Sequence, residues 1–261
     1  MDSPALLRPR AASNLPVQPA TVVEDALNRP VRLFCFHLDD DSDISLTEAR
    51  RYLDRDERQR ARAFVSNRDG ERFIRAHGCL RRILALQLNR EPAALEFRLG
   101  PYGRPYLPGS GLSFNMSHSE GYAVCALSRS RSVGIDLEIH QPAFCFGPLL
   151  SMVFTETERN HLNEKSGAER RKLFYEFWTA KEALMKLTGL GLNLAPDTIE
   201  LLLAGDRPCG FTRPLIDGMT LQHIDCAPFA DTTLSCYLVT APRQRNRNIV
   251  GITAGSNQAP Q

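Results

Sequence analysis

Three short stretches of the sequence carry acids, bases and hydroxyls at spacings that secondary structure turns into shared faces. In Phe174–Gly191, FYEFWTAKEALMKLTGLG, the residues Trp178, Glu182 and Lys186 recur every fourth position. At about 100° per residue they stack along one side of a helix, with Lys181 and Met185 beside them. Leu173, Phe177, Ala180, Leu184 and Leu187 fall on the opposite stripe, the side a helix turns to a core. Thr188 and Gly189 end it. An acid and a base one turn apart are equally an exposed ion pair, so this helix alone leaves both readings open.

The second stretch, Ser132–His140, reads SVGIDLEIH. Strand alternation puts Val133, Ile135, Leu137 and Ile139 on one face and Gly134, Asp136 and Glu138 on the other. Two carboxylates on one face repel each other and need water or a cation. Hard oxygen donors of this kind suit Mg²⁺ bridging to phosphates, the other reading being a strand with a polar outer face. Gly134 beside them leaves room for a ligand or a second backbone. The third stretch, Leu112–Ser119, is LSFNMSHS. Leu112, Phe114 and Met116 alternate with Ser113, Asn115 and Ser117, giving one buried and one hydrogen-bonding side. His118 at the strand end is placed to donate to a phosphate, or else is structural. Arg104, in the turn Gly103–Pro105, and Arg58, Arg60, Arg62, Arg72 and Arg75 add guanidinium forks that match phosphate oxygens.

The composition narrows the classes. A net charge of +2 argues against bulk nucleic-acid binding. Seven scattered cysteines without a CxxC pair read as buried thiols in a reducing compartment, with neither a disulfide framework nor a zinc site. No apolar run is long enough for a signal peptide or a membrane span, so a cytoplasmic protein is expected. There is no nucleophile elbow, no Walker loop and no GxGxxG.

The elements that must position these groups come round twice. The pattern predicts a strand at 31–38, a capping box at Ser45 and Glu48, helices at 54–64 and 69–88, and strands near 95–98, 112–118 and 122–127. A second pass predicts a strand at 132–139, a capping box at Thr155 and Glu158, the long helix of the first stretch, and strands near 198–203, 219–224 and 233–239. The class is α+β: two similar subdomains, 30–128 and 129–241, related by a pseudo-twofold axis. The flanks 1–29 and 242–261 lack periodicity and are expected to be mobile.

NMSHS at Asn115–Ser119, VGIDLE at Val133–Glu138 and FWTAKEALMKLTGLGL at Phe177–Leu192 together resemble the phosphopantetheinyl transferases of the large, pseudodimeric, surfactin-synthetase-activating type. That family's pattern is an SHS-like strand end, a GxDxE strand and a WxxKEAxxK helix, and all three occur here in order. The resemblance implies Mg²⁺-dependent transfer of the phosphopantetheine arm of coenzyme A to a serine of an apo acyl or peptidyl carrier protein, releasing adenosine 3',5'-bisphosphate. It implies that Asp136, Glu138 and Glu182 hold Mg²⁺, and that one carboxylate or a metal-bound water takes the serine proton. Lys186 would neutralise the leaving phosphate, with Lys181 supporting the same charge. Ser117, His118, Arg104 and Arg72 match positions that contact coenzyme A, while the contacts to the adenine end of coenzyme A fall among Arg58, Arg60 and Arg62 without a one-to-one match. The active site would then lie at the interface of the two halves.

A monomer is implied, with no nucleic acid and no membrane as partner. The carrier would dock mainly on the second half, where Phe144, Phe146, Leu149 and Leu150 offer apolar contact or belong to the core. A catalytically silent module that binds carriers or coenzyme A, and an unrelated metal-dependent phosphate enzyme, are the competing readings. A mere binder has no need of Asp136, Glu138, Glu182 and Lys186 together.

Overall fold

Side-chain caps open most of the helices, and they do so where small polar residues precede a run of good helix formers. The computed structural model of the chain describes residues 21–24, 28–229 and 232–243. It begins with strands β1 (Thr21–Glu24) and β2 (Pro30–His37). Ser45 then accepts from the Glu48 N–H at the start of helix α1 (Leu46–Tyr52). Asp54 and Glu57 form a reciprocal capping box on α2 (Arg55–Arg62), and Ser66 caps the 22-residue α3 (Asn67–Leu88). Strands β3 (Arg98–Leu99), β4 (Pro105–Tyr106), β5 (Ser113–Ser119), β6 (Tyr122–Ser128) and β7 (Arg131–Ile139) follow. After α4 (Leu150–Val153) comes α5 (Glu156–Asn163), opened by the capping box of Thr155 and Glu158. Then come the 22-residue α6 (Gly167–Thr188) and strands β8 (Leu201–Ala204), β9 (Arg207–Phe211), β10 (Thr220–His223) and β11 (Leu234–Pro242).

Two antiparallel sheets organise these elements, one in the order β1-β2-β6-β5 and the other β10-β11-β7. Each has a long helix on one face. Phe73, Ile83 and Leu84 of α3 pack on Phe34, Phe36, Phe114 and Cys125 of the first sheet. Phe177, Ala180, Leu184 and Leu187 of α6 pack with Tyr237, Val239 and Ala241 of the second. A third core joins the remaining faces: Val31, Leu33, Val124 and Ala126 meet Val133, Ile135, Leu137, Cys236 and Leu238. The layers therefore run α3, first sheet, second sheet, α6. Strand β6 is buried on both faces, which is why its sequence is so apolar.

The α+β class holds, and the apolar stripes expected on α3 and α6 are buried. Several expectations change. Helix α6 starts at Gly167, seven residues before the expected segment, because its first two turns are polar and carry no apolar period. The short strands β4 and β9 and the single-turn helix α4 went unforeseen. Thr21–Glu24, inside the flank expected to be mobile, pairs with Pro30–Leu33 as an edge strand; positions 1–20 and 244–261 of the two flanks lie outside the described residues. Among the described residues no helix is long and apolar enough to cross a membrane. All seven cysteines are free thiols, and against the expectation of burial Cys145 and Cys209 are exposed and Cys35 is half-buried, while the other four are buried.

One glycine sets the spacing of α6 on its sheet. A Cβ on Gly134 of β7 would lie 2.3 Å from the Ala183 carbonyl oxygen and 2.4 Å from the Leu187 nitrogen. Of the two roles open to it, this glycine serves close approach of a second backbone. Gly134→Ala should push α6 off the strand and cost about 1–3 kcal/mol, read as a lower midpoint in urea unfolding; an unchanged midpoint would refute the packing described.

Candidate active site

The functional side chains collect where the two sheets meet edge to edge. β5 and β7 share no backbone ladder, and side chains take its place. The Val133 N–H donates to Ser113 Oγ at 3.1 Å, Ile135 N–H to Asn115 Oδ1 at 2.8 Å, and Ile139 N–H to Ser119 Oγ at 3.2 Å. The constant offset of twenty residues means that the two strands run parallel. Buried backbone N–H groups need partners, and the polar side of β5 supplies them to β7.

Ser117 departs from this pattern. Its Oγ donates to Asp136 Oδ1 at 2.7 Å, and Lys186 Nζ donates to Ser117 Oγ at 2.7 Å and to Asp136 Oδ1 at 2.6 Å. The triangle joins both sheets to α6. One position along, Glu138 is held at both oxygens, by Ser119 Oγ at 3.0 Å and Trp178 Nε1 at 3.2 Å. The Trp178, Glu182 and Lys186 face of α6 thus lies over the Asp136 and Glu138 face of β7.

Negative charge outweighs positive here. Burial, then the charge of Asp136, pushes the Glu182 carboxyl up to about 7, with Glu138 adding to the rise and Lys186 opposing it. Glu138 is raised for the same leading reasons. Asp136 is 2% exposed, and its second oxygen, Oδ2, is buried with no hydrogen-bond partner. Three carboxylates facing one ammonium, with an orphaned oxygen among them, form the donor set that a hard divalent cation satisfies. As the side chains stand, no three His, Cys, Asp or Glu among the described residues lie close enough to hold a metal ion. Lys186 Nζ takes up Asp136 Oδ1 in this arrangement.

Four other expected site residues divide. His118 lies on the opposite side of β5 from Ser117, with its surface exposed. Desolvation, then Lys186, His77 and Arg72, hold its imidazole below the usual value. Arg72 is engaged by carboxylates: Nε and Nη2 donate to Asp39 at 2.7 and 2.9 Å, and Nη1 to Glu120 at 3.1 Å.

The structure does not bring Lys181 to the seam. At 1% exposure it pairs with Glu158 at 2.5 Å and donates to the Val153 and Pro196 carbonyls. One residue from Glu182 is about 100° around the helix, which turns Lys181 toward α5. Arg104 is also turned from an open phosphate site. Its guanidinium donates to the Leu187 carbonyl and, at 2.8 Å, to the Val133 carbonyl, while its stem lies against Gly189. Burial lowers its pKa to about 10. It clamps the last turn of α6 to β7 right beside Lys186, and favours the negative end of that helix.

Sequence reasoning missed Ser113, Asn115 and Ser119 as seam donors and acceptors, and Trp178 as a partner of Glu138. The signal for the first three was present as the unbroken polar alternation of β5. Of the expected docking residues, Phe146, Leu149 and Leu150 pack against the second core, and Phe144 is exposed.

Residues 132–230 match the family model described as the 4'-phosphopantetheinyl transferase superfamily. The chain is 34% identical over 173 residues to the 4'-phosphopantetheinyl transferase HetI of Nostoc sp., covering 65% of this chain and 73% of that protein. It is 28% identical over 156 residues to 4'-phosphopantetheinyl transferase Sfp of Bacillus subtilis, covering 59% and 68%. It is 32% identical over 159 residues to the L-aminoadipate-semialdehyde dehydrogenase-phosphopantetheinyl transferase of Xenopus laevis, covering 56% and 52%.

Two outcomes follow from the geometry. Arg104→Ala leaves two carbonyls without their donors and should cost about 1–3 kcal/mol, seen as a lower thermal midpoint with α6 the first helix to lose amide protection. Glu182, with a folded pKa near 7 against an ordinary 4.5, contributes stability that is complete below the unfolded value and is lost as pH rises through 7. In metal-free protein, Glu182→Gln should therefore be more stable than wild type at pH 8, by up to ~3 kcal/mol. The gain should shrink toward pH 5, as denaturant titrations at the two pH values would show.

Proposed function

The chain belongs to the 4'-phosphopantetheinyl transferase superfamily, and from that premise we propose that it transfers the phosphopantetheine arm of coenzyme A to a serine of an apo acyl or peptidyl carrier protein. The observation that carries this reading is the bonded set Lys186, Ser117 and Asp136, flanked by Glu138 and Glu182, at the meeting of the two sheets. In the proposed reaction the serine oxygen attacks the phosphorus next to the pantetheine arm. The bond from that phosphorus to the bridging pyrophosphate oxygen breaks, and adenosine 3',5'-bisphosphate leaves with the electron pair. The serine proton passes to the carboxylate face. Transfer of this kind is mostly positioning and charge stabilisation.

Each residue has a part in that scheme. Lys186, already pointing at Asp136 and Ser117, neutralises charge growing on the leaving phosphate. Ser117 and His118, on opposite sides of the end of β5, offer contacts to coenzyme A phosphates. Asp136, Glu138 and Glu182 would hold Mg²⁺, which would supply Lewis-acid stabilisation of the pyrophosphate. The orphaned Asp136 oxygen and the raised carboxyls support that assignment. Lys181 and Arg104 have structural duties instead, and Arg72 orders Asp39 and Glu120.

We also infer that 30–128 and 129–241 are two related units about a pseudo-twofold axis, one chain making one site as a monomer in the reducing cytoplasm. Two 22-residue helices, each on its own sheet, support this.

The test is incubation with coenzyme A, Mg²⁺ and a panel of apo carriers, reading the mass of each carrier. A phosphopantetheine-sized gain on at least one is expected. Asp136→Ala and Lys186→Ala should lower the rate roughly 10²–10³-fold while keeping the wild-type circular dichroism. A fully active Asp136→Ala would remove the metal and charge assignment.

A further inference from the structure

A second charged feature lies at the start of α3. It is a cleft of about 820 Å³ between α1, α2 and the start of α3. Its floor includes Leu53, Ala61 and Ile74, and its sides carry Arg50, Arg51, Arg58 and Arg62. Among the described residues none of these four guanidinium groups pairs with a carboxylate; Arg58 reaches only the Arg51 carbonyl, at 3.5 Å. Neighbouring arginines behave otherwise. Arg68 and Arg72 hold Asp39, Arg75 holds Asp41, and Arg81 holds Asp54 and Glu57. The single acid lining the cleft, Glu71, faces Arg75 at 3.8 Å. The N-terminal turn of α3, capped by Ser66, opens into the same cleft and adds its positive dipole end.

We propose that this cleft receives an acidic segment of the apo carrier protein, an inference that rests on the transferase reading above. Four unpaired arginines beside a helix N-terminus select negative charge. The chain's own flanks cannot supply it. Positions 1–20 carry Arg8 and Arg10 against Asp2, and positions 244–261 carry Arg245 and Arg247 and no acid. A protein surface fits better than a small anion because Phe64 and Val65 stand exposed on the α2–α3 loop at the cleft's edge. Exposed aromatic and apolar side chains mixed with arginine are the composition of a protein interface. The arginines also spread along two helices instead of converging on one point. This surface lies on the first half of the chain, so the carrier would touch both halves, its serine at the seam and its acidic segment here.

The experiment compares wild type with Arg50→Glu/Arg51→Glu and, separately, Arg58→Glu/Arg62→Glu. Initial rates are measured against carrier and against coenzyme A, and carrier binding is measured directly by calorimetry at two salt concentrations. The expected result is a carrier KM raised roughly tenfold or more, a weakened salt dependence of binding, and an unchanged KM for coenzyme A and kcat. Reciprocal Asp or Glu to Lys changes on the carrier should restore binding to the reversed variants. A raised KM for coenzyme A with carrier binding intact would assign the cleft to the nucleotide and overturn the proposal. Transfer by wild type with both variants unaltered would overturn it and leave the transferase reading standing. A wild-type protein that neither modifies nor binds any carrier would sink both.

Discussion

Everything at the site depends on how β7 finds partners for its unpaired edge. A strand with backbone donors facing protein must satisfy them, and here Ser113, Asn115 and Ser119 of β5 do so with side chains in place of main chain. A backbone ladder would have merged the two sheets into one continuous surface. Side-chain bridging lets the sheets fold toward each other instead, so that their other faces close over the core built from Val31, Leu33, Val124 and Ala126 against Val133, Ile135 and Leu137. The same hinge line opens a polar furrow on the outside, and Asp136, Glu138 and Ser117 sit in it.

Charge then decides what the furrow is for. A stable core would have matched Asp136, Glu138 and Glu182 with equal positive charge, as it does for Lys181 and Glu158. Among the described residues, Lys186 alone answers three acids at the seam. The imbalance destabilises the protein by itself, which is the mark of a place arranged for something that arrives from outside. Arg104 and Gly134 act on this from a distance. The glycine lets α6 approach, and the arginine fixes the turn carrying Lys186. Neither touches the acids, yet both determine where the ammonium group stands.

Much of this was legible from periodicity, because strands and helices are regular over short range. The i, i+4, i+8 spacing of Trp178, Glu182 and Lys186 and the alternation of Gly134, Asp136 and Glu138 placed each set on one face, and the two faces do meet. Lys181 was misread because proximity in sequence was taken for proximity on the helix surface. Arg104 was misread because a guanidinium fork matches two backbone carbonyls as well as it matches a phosphate. The side-chain ladder was hidden for a different reason. Alternating Ser and Asn in β5 indicate a hydrogen-bonding side, but only the tertiary arrangement says that the partner is the backbone of a strand twenty positions later.

That offset makes the intervening hairpin a counted length. The chain from β5 through β6 to β7 must return with the same parity, since side chains of a strand change sides at every step. One residue added at Glu120–Gly121 or at Arg129–Ser130 would bring hydrophobic side chains where the carboxylates stand and turn the acids inward. Two added residues would keep the parity. Homologous chains built on this seam should therefore tolerate substitutions in that hairpin far better than changes in its length.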